Sequence, residues 1–555
     1  MAPKEPTQNE PTQNEPVQNK TASSRREFLR VATLGAAGAV CAPSIALLSG
    51  CGGPPAADGS KIGREARQYQ LEIGSREAAP DGRPRQVFCY NGELPGPVIR
   101  AKVGETLRVK VVNKLEVPSS VHWHGMHQPG TWRMDGVANV SAPPIPPGAE
   151  FVYEFQATPA GTHWYHSHTG VQYGDGLFGP LIVDEETPPY RYDREEVLLF
   201  NDWFLKPSEE ILADLLKPAE GDGDAGSAGA KDRAKPAGKM AMGSAARGSE
   251  TTKEGGKGPS AGAAPVKGMA AMPGMAGKPD VGDVPFESVL FNGRGRFDPT
   301  GDAPRTTIAV ERGEVVRLRL INGSTTYAFR FQIDGHRLSV VAADGAPITP
   351  VEVDNLVIHI GERYDVLLTA DQSGAAWIRA ATLDGREGNA ILRYRDAESG
   401  EPPVAAVEWG MQALTAAAIR WPATVALAPS PREIALRLGG SMMPYRWNLN
   451  GQEYPQSEPL TLKTGEAVRF VLENPTGMDH PFHLHGHSFH VLGPPDALNL
   501  RDPALKDTVN VPTESTLVLE WKASNPGRWF FHCHIEWHAA TGMARVIEIG
   551  PTAGV

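Results

Sequence analysis

Cysteine is scarce: Cys41, Cys51, Cys89 and Cys533 are the only four in 555 residues. Two of them fall in an N-terminal leader, so no disulfide framework can be built. A Cys89–Cys533 bridge would consume a thiol that the surrounding histidines require, and no disulfide is expected. A basic excess is also lacking. Against 65 acidic residues stand 54 basic ones, a net charge of -11, which weighs against nucleic acid as a partner. Long helical periodicities are not evident. Large apolar residues are sparse from about Leu216 to Val284, a Gly/Ala/Lys/Ser-rich stretch with Met240, Met242, Met269, Met272 and Met275. Such a stretch cannot bury enough surface to pack, and it reads as a disordered insert.

What is present begins with a leader. Three near-copies, "EPTQN", "EPTQN" and "EPVQN", open the chain. Arg25-Arg26 with Phe28-Leu29, followed by a weakly apolar Gly/Ala segment, looks like a twin-arginine export signal. "LLSGC", ending at Cys51, resembles a lipobox, in which the cysteine is acylated. The alternative is an uncleaved membrane anchor. The expectation is export to the periplasm or cell surface, with a lipid at Cys51 as the only membrane contact. Twin-arginine export carries folded proteins, often with a cofactor already bound. Removal of the leader, with five basic and four acidic residues, leaves the remaining chain at -12.

Three stretches beyond the leader resemble one another: "GETLRVKVVN", "GEVVRLRLIN" and "GEAVRFVLEN". Each has a Gly-Glu turn, then an alternating run (Leu107, Val109, Val111; Val316, Leu318, Leu320; Val468, Phe470, Leu472), then asparagine. Alternation of this kind predicts a half-buried strand. Three copies imply a threefold repeat of a β-sandwich domain.

Four His-x-His pairs stand out: His122/His124, His166/His168, His483/His485 and His532/His534. On a strand, residues two apart share a face, so each pair offers two imidazoles side by side. Two pairs lie in the first repeat and two in the last. If those repeats face each other, eight imidazoles converge, a set that suits several copper ions. Cys533, between His532 and His534, points to the opposite face and belongs to a separate metal. With His480, His538 and Met543 it makes the His2Cys set with a weak thioether of an electron-transfer copper site. Zinc is the alternative, but structural zinc closes at four ligands. Twelve candidates exceed that, and zinc gives a cysteine between two histidines no redox purpose.

The stretches "VHWHGMHQPGTWRMDG", "GTHWYHSHTG", "HPFHLHGHSFHVLG" and "HCHIEWHAATGM" resemble the copper-binding motifs of the multicopper oxidases, a family that includes laccases, ferroxidases and copper-resistance oxidases. The resemblance implies an all-β chain of three cupredoxin-like Greek-key β-sandwich domains holding four copper ions. It places type 2 copper at His122 and His483. It places the type 3 pair at His124, His166, His168, His485, His532 and His534, and type 1 copper at His480, Cys533, His538 and Met543. Dioxygen would be reduced to water at the three-copper cluster. The expected boundaries are a signal over 1–51, a first domain over 62–186, a second over 187–400 with the insert at about 216–284, and a third over 410–551.

Oxygen reduction consumes protons, and Asp135 and Glu536 match acids that supply them in similar enzymes. The alternatives are a turn cap for Asp135 and a solvent-facing side chain for Glu536. His127, His163, His487 and His490 fit packing or ligand-orienting roles. His336 and His359 read as structural, and Cys89 as a core thiol. For the donor, "VLLFNDWF" resembles the laccase stretch whose Asp contacts phenols, making Asp202 the candidate over a plain strand-end acid. Oxidation of phenols or aromatic amines is favoured. Oxidation of Cu(I), drawn by soft thioethers in the insert, is the alternative. A copper-storage or carrier protein would need only one site.

Overall fold

The three Gly-Glu turns fold alike, and they explain the repeat physically. Gly104, Gly313 and Gly465 take left-handed φ of 78°, 89° and 84°, a conformation open to glycine without steric cost. The following glutamate closes each turn. Lys102 N donates to Glu105 Oε2 at 2.9 Å, Glu311 N to Glu314 Oε2 at 3.0 Å, and Lys463 N to Glu466 Oε2 at 2.7 Å. The strands Thr106–Asn113, Val315–Asn322 and Ala467–Asn474 follow. Their terminal asparagines each donate from Nδ2 to a nearby carbonyl and to at least one more distant in sequence: Asn113 to Val117 and Ile145, Asn322 to Tyr327 and Ile358, and Asn474 to Met478, Val511 and Pro512.

The computed structural model describes residues 66–218, 282–295, 305–397, 400–403 and 406–550. The leader, Cys51 and residues 219–281 of the insert lie outside the described residues. Among the described residues no helix is long and apolar enough to cross a membrane. The strands form six sheets in three sandwiches. In the first, a sheet ordered Arg85–Tyr90, Arg67–Ala78, Thr106–Asn113, Glu150–Gln156 accompanies one ordered Ile99–Lys102, Phe178–Asp184, Gly161–His166, His122–His124. In each of the other two, a six-stranded sheet accompanies a five-stranded one. The only described α-helices are Ser208–Leu215 and Glu536–Ala540. The cupredoxin-like all-β architecture is thus the observed one.

One repeat departs from the expected half-burial. Val315–Asn322 is buried on both faces except at its first residue. The reason is that Arg317 and Arg319 turn toward the first domain rather than water. Arg317 Nη2 donates to Glu185 Oε1 at 2.7 Å, and Arg319 Nη1 to Thr162 Oγ1 at 2.9 Å, while Asp365 of the neighbouring strand takes Arg317 Nε at 3.0 Å. The insert is also shorter than its composition implies. Val284 is buried, and Gly282 O accepts from Tyr327 OH at 3.2 Å, so residues 282–284 are packed. A low content of large apolar residues does not prevent a chain end from being held by specific hydrogen bonds.

Candidate metal centre

Strand register delivers the histidines in facing pairs. His122–His124 runs antiparallel to Gly161–His166, with His122 opposite His166. His480–Leu484 runs antiparallel to Gly527–Cys533, with His483 opposite His532 and Phe482 opposite Cys533. The first and third domains bring these sheets together. His124 stacks on His483 with ring centroids 3.7 Å apart, and His122 on His485 at 3.9 Å. His168 Nε2 and His485 Nε2 lie 3.4 and 3.1 Å from His532 Nε2, and His534 Nε2 lies 3.3 Å from His124 Nδ1. All four His-x-His pairs therefore meet in one cluster.

Four groups in this cluster have ligand atoms close enough to hold an ion: His122/His124/His166, His122/His483/His485, His168/His485/His532 and, with a carboxylate, His124/His483/Asp507. Burial keeps the imidazoles of His124, His166, His168, His485, His532 and His534 well below the usual histidine range, so they are neutral and each has a lone pair to give. Their other nitrogens are tied down. His122 Nδ1 donates to Asp135 O at 2.8 Å, His166 Nδ1 to Ser167 O at 3.0 Å, His483 Nδ1 to Asp507 O at 2.9 Å, and His485 Nδ1 to Asp135 Oδ2 at 2.9 Å. The Nε2 atoms of His122, His166 and His483 are buried without a hydrogen-bond partner. Unpaired buried polar atoms are costly, and converging imidazole lone pairs are what a copper cluster requires.

Cys533 lies on the other face, as the strand alternation predicts. Its Sγ is 3.7 Å from His480 Nδ1 and 3.6 Å from His538 Nδ1, and those two nitrogens are 3.2 Å apart. Thr476 Oγ1 takes the opposite nitrogen of His480 at 2.8 Å. Asp283 Oδ2 takes that of His538 at 3.2 Å. Buried Met543 is held by its backbone to both, with Cys533 N donating to Met543 O and Met543 N to His538 O. The group His480/Cys533/His538 could hold one further ion. His532 Nδ1 donates to Cys533 O at 2.8 Å, so the two groups are joined by covalent bonds and by a hydrogen bond. Neither Cys533 nor Cys89 is in a disulfide.

The acids fall in three places. Asp135 closes the short turn Trp132–Met134 and also carries the bond to His485, so cap and cluster contact coexist. Glu536 is buried rather than solvent-facing, and its Oε2 has no partner. Burial, and then the nearby Asp175 charge, push its carboxyl well above the usual range. Asp202 does not reach the edge of His538. It is buried, accepts from Thr325 N, Thr325 Oγ1 and Thr326 N, and is pushed up to about 6 by burial. The carboxylate at His538 is Asp283, which sequence reasoning assigned to the insert. His127, His163, His336, His487 and His490 bond to nearby oxygens: Ser488 Oγ, Pro159 O, Asp334 O, His485 O and Pro503 O. Asp507 and Thr508, against His124 and His483, were also missed. A Lys-Asp pair before a strand carries no distinguishing signal.

Comparison with known proteins gives the family. Family models described as multicopper oxidase match residues 72–188, 264–397 and 428–553. The multicopper oxidase MmcO of Mycobacterium tuberculosis is 30% identical over 547 residues, 95% of this chain and 96% of that one. Laccase-4 of Thanatephorus cucumeris is 33% identical over 527 residues, covering 85% and 87%. The crystal structure of the laccase from Botrytis aclada superposes with a TM-score of 0.70 at 28% identity, covering 87% of each chain. Fold and site define a copper oxidoreductase of three cupredoxin-like domains. The chain belongs to the multicopper oxidases.

Proposed function

We propose that this oxidase takes electrons one at a time from small phenols or aromatic amines beside His538 and passes them to the histidine cluster, where dioxygen becomes water. In this reading His480, Cys533, His538 and Met543 hold type 1 copper. His122 and His483 hold type 2 copper, and His124, His166, His168, His485, His532 and His534 hold the type 3 pair. Four bound coppers would supply one-electron acceptance at Cys533 and four-electron reduction of dioxygen at the cluster. The protein's own part is to keep the imidazoles neutral, fix their tautomers and join the two groups through His532-Cys533-His534. Each dioxygen also takes four protons. Glu536, with an unpartnered buried oxygen, is the proton-holding group, and Asp135 orients His485. Arg25-Arg26 and "LLSGC" support export with a lipid at Cys51 as part of the same reading.

The observation that carries the choice of donor is Asp283. It lines a cleft of about 370 Å³ with Phe204, Ile211, Leu215 and Val284, while bonded to His538. A phenol losing an electron also loses a proton; the Asp283 side chain is itself buried, with Oδ2 on His538 and Tyr445 and Oδ1 without a partner, so in this reading Oδ1 is the acceptor left for a proton arriving from the cleft. Cu(I) oxidation is the second reading. It is supported by Met443, a 65% exposed thioether, two residues from Tyr445, whose hydroxyl donates to Asp283. The test is the steady-state rate with an electron-rich phenol, with Cu(I) and with a proton-free one-electron donor, in wild type and Asp283→Asn. Phenol kcat/KM should fall on the order of 100-fold, with the proton-free donor close to unchanged. Equal losses on both, or a wild type faster on Cu(I) than on phenol, would refute the phenol reading.

A further inference from the structure

The middle domain supplies none of the twelve assigned ligands, yet it reaches the cluster. A Cβ at Gly361 would stand 2.9 Å from His534 Cδ2 and 3.2 Å from His124 Cε1. Two residues on, the buried guanidinium of Arg363 grips Asp507 with both arms, Nη1 to Oδ1 and Nη2 to Oδ2, each at 2.6 Å. Its Nε donates to Thr162 O in the first domain at 3.0 Å. Asp344 locks this pair from below, accepting from Arg363 N at 3.0 Å on Oδ1 and from Thr508 N at 3.1 Å on Oδ2. One arginine of the middle domain thus ties all three domains together at the cluster wall.

Asp507 sets a chain of polarity. Its Oδ1 accepts from Thr508 Oγ1 at 2.8 Å. Having donated its hydrogen, Thr508 Oγ1 can only accept from the rings, at 3.1 Å from both His124 Nε2 and His483 Nδ1. Asp507 Oδ1 itself lies 3.4 Å from His124 Nε2 and 3.5 Å from His483 Nδ1. A neutral imidazole has one N–H. With that hydrogen held on Nε2 of His124, the lone pair is on Nδ1, the atom facing His534 Nε2. On His483 the Asp507 backbone carbonyl, 2.9 Å away, holds the hydrogen on Nδ1 and leaves the lone pair on Nε2. Two stacked rings therefore present opposite nitrogens to the cluster, and nothing in the His-x-His spacing dictates that difference.

We propose that Arg363 is a positioning residue for the cluster: by fixing the Asp507 carboxylate it holds His124 in the Nδ1-lone-pair form. The proposal rests on the copper reading above. Without the guanidinium the carboxylate loses two charge-assisted bonds and is free to rotate, so His124 Nε2 has no fixed acceptor, while His483 Nδ1 keeps the Asp507 backbone carbonyl. Orienting partners of this kind are worth about 10–100-fold in metal affinity.

The test uses the full-length copper-loaded protein and its Arg363→Met and Arg363→Lys variants. The measurements are copper retention against a chelator and the separate spectroscopic signatures of the thiolate copper and of the cluster. Arg363→Met should keep the visible thiolate band and lose cluster copper about 10–100-fold more readily, with Arg363→Lys in between. Arg363→Met leaves a buried carboxylate unpaired and can fail to fold, so a second variant, Arg363→Met with Asp507→Leu, removes both charges. It too should lose cluster copper while keeping the thiolate band. Wild-type retention and cluster signature in either folded variant would overturn the proposal, even with a lowered melting temperature. A wild type that takes up thiolate copper but no cluster copper would sink the copper reading and this proposal together.

Discussion

Replacing Gly361 with alanine adds one methyl group from the ligand-free domain against the cluster. Gly361 has a φ of 81°, and a residue with a Cβ pays about 1–2 kcal/mol to adopt that conformation. The new Cβ would sit 2.9 Å from His534 Cδ2, well inside the carbon–carbon optimum of about 3.5–4.0 Å. Crowding in a packed interior costs about 1–3 kcal/mol, so the total loss should be about 2–5 kcal/mol. Part of the strain is relieved by moving the His534 ring, which weakens copper retention in the cluster. Cys533 points to the other face, so the visible band should persist. Gly335→Ala is the control: φ is 73° there and nothing lies within 4 Å of the added carbon. It should lose only the conformational cost of about 1–2 kcal/mol and keep its copper. Urea unfolding and chelator competition on both variants decide the matter. If Gly361→Ala were no worse than Gly335→Ala in both assays, the loop would not press on the cluster and the reasoning would fail.

The copper-free protein should be acid-labile. Burial holds the folded-state pKa values of His124, His166, His168, His480, His485, His532 and His534 well below the unfolded value. The unfolded chain therefore binds protons first, and stability is lost as pH falls below about 6.5, by roughly 1.4 kcal/mol per histidine per pH unit. A urea midpoint for copper-free protein that is the same at pH 7.5 and 5.5 would contradict this. Met543→Leu should fold, at a cost under about 1.5 kcal/mol. It should also raise the potential of the thiolate copper, because a donating sulfur that favours Cu(II) is gone. A redox titration showing an unchanged or lower potential would remove Met543 from the set that would hold the thiolate copper.

How much of this was legible in the sequence depends on the range of the interactions. The His-x-His pairs and the cysteine between two histidines were readable because strand periodicity converts a spacing of two into a shared face. The repeated Gly-Glu turn and terminal asparagine were readable because their hydrogen bonds are largely local. Arg363 and Asp507 are 144 residues apart, and neither belongs to a motif, so their pairing exists only in the folded chain. Composition misassigned Asp283, since a Gly-rich tract was extended a few residues too far. The bonds of Asp202 were not readable, because a strand-end aspartate can face either a cleft or two threonine amides, and the local sequence is the same in both cases. The middle repeat was read as half-buried because alternation does not reveal that its arginines face another domain.

The central claim is that Cys533 belongs to one copper group and its two neighbouring histidines to another. The most direct test is the copper content and visible spectrum of purified Cys533→Ser beside wild type. Four coppers per chain with an intense thiolate band are expected in wild type, and three without the band in the variant, with oxidase activity abolished. A variant that stays blue, or one that loses the cluster copper along with the thiolate copper, would contradict the account.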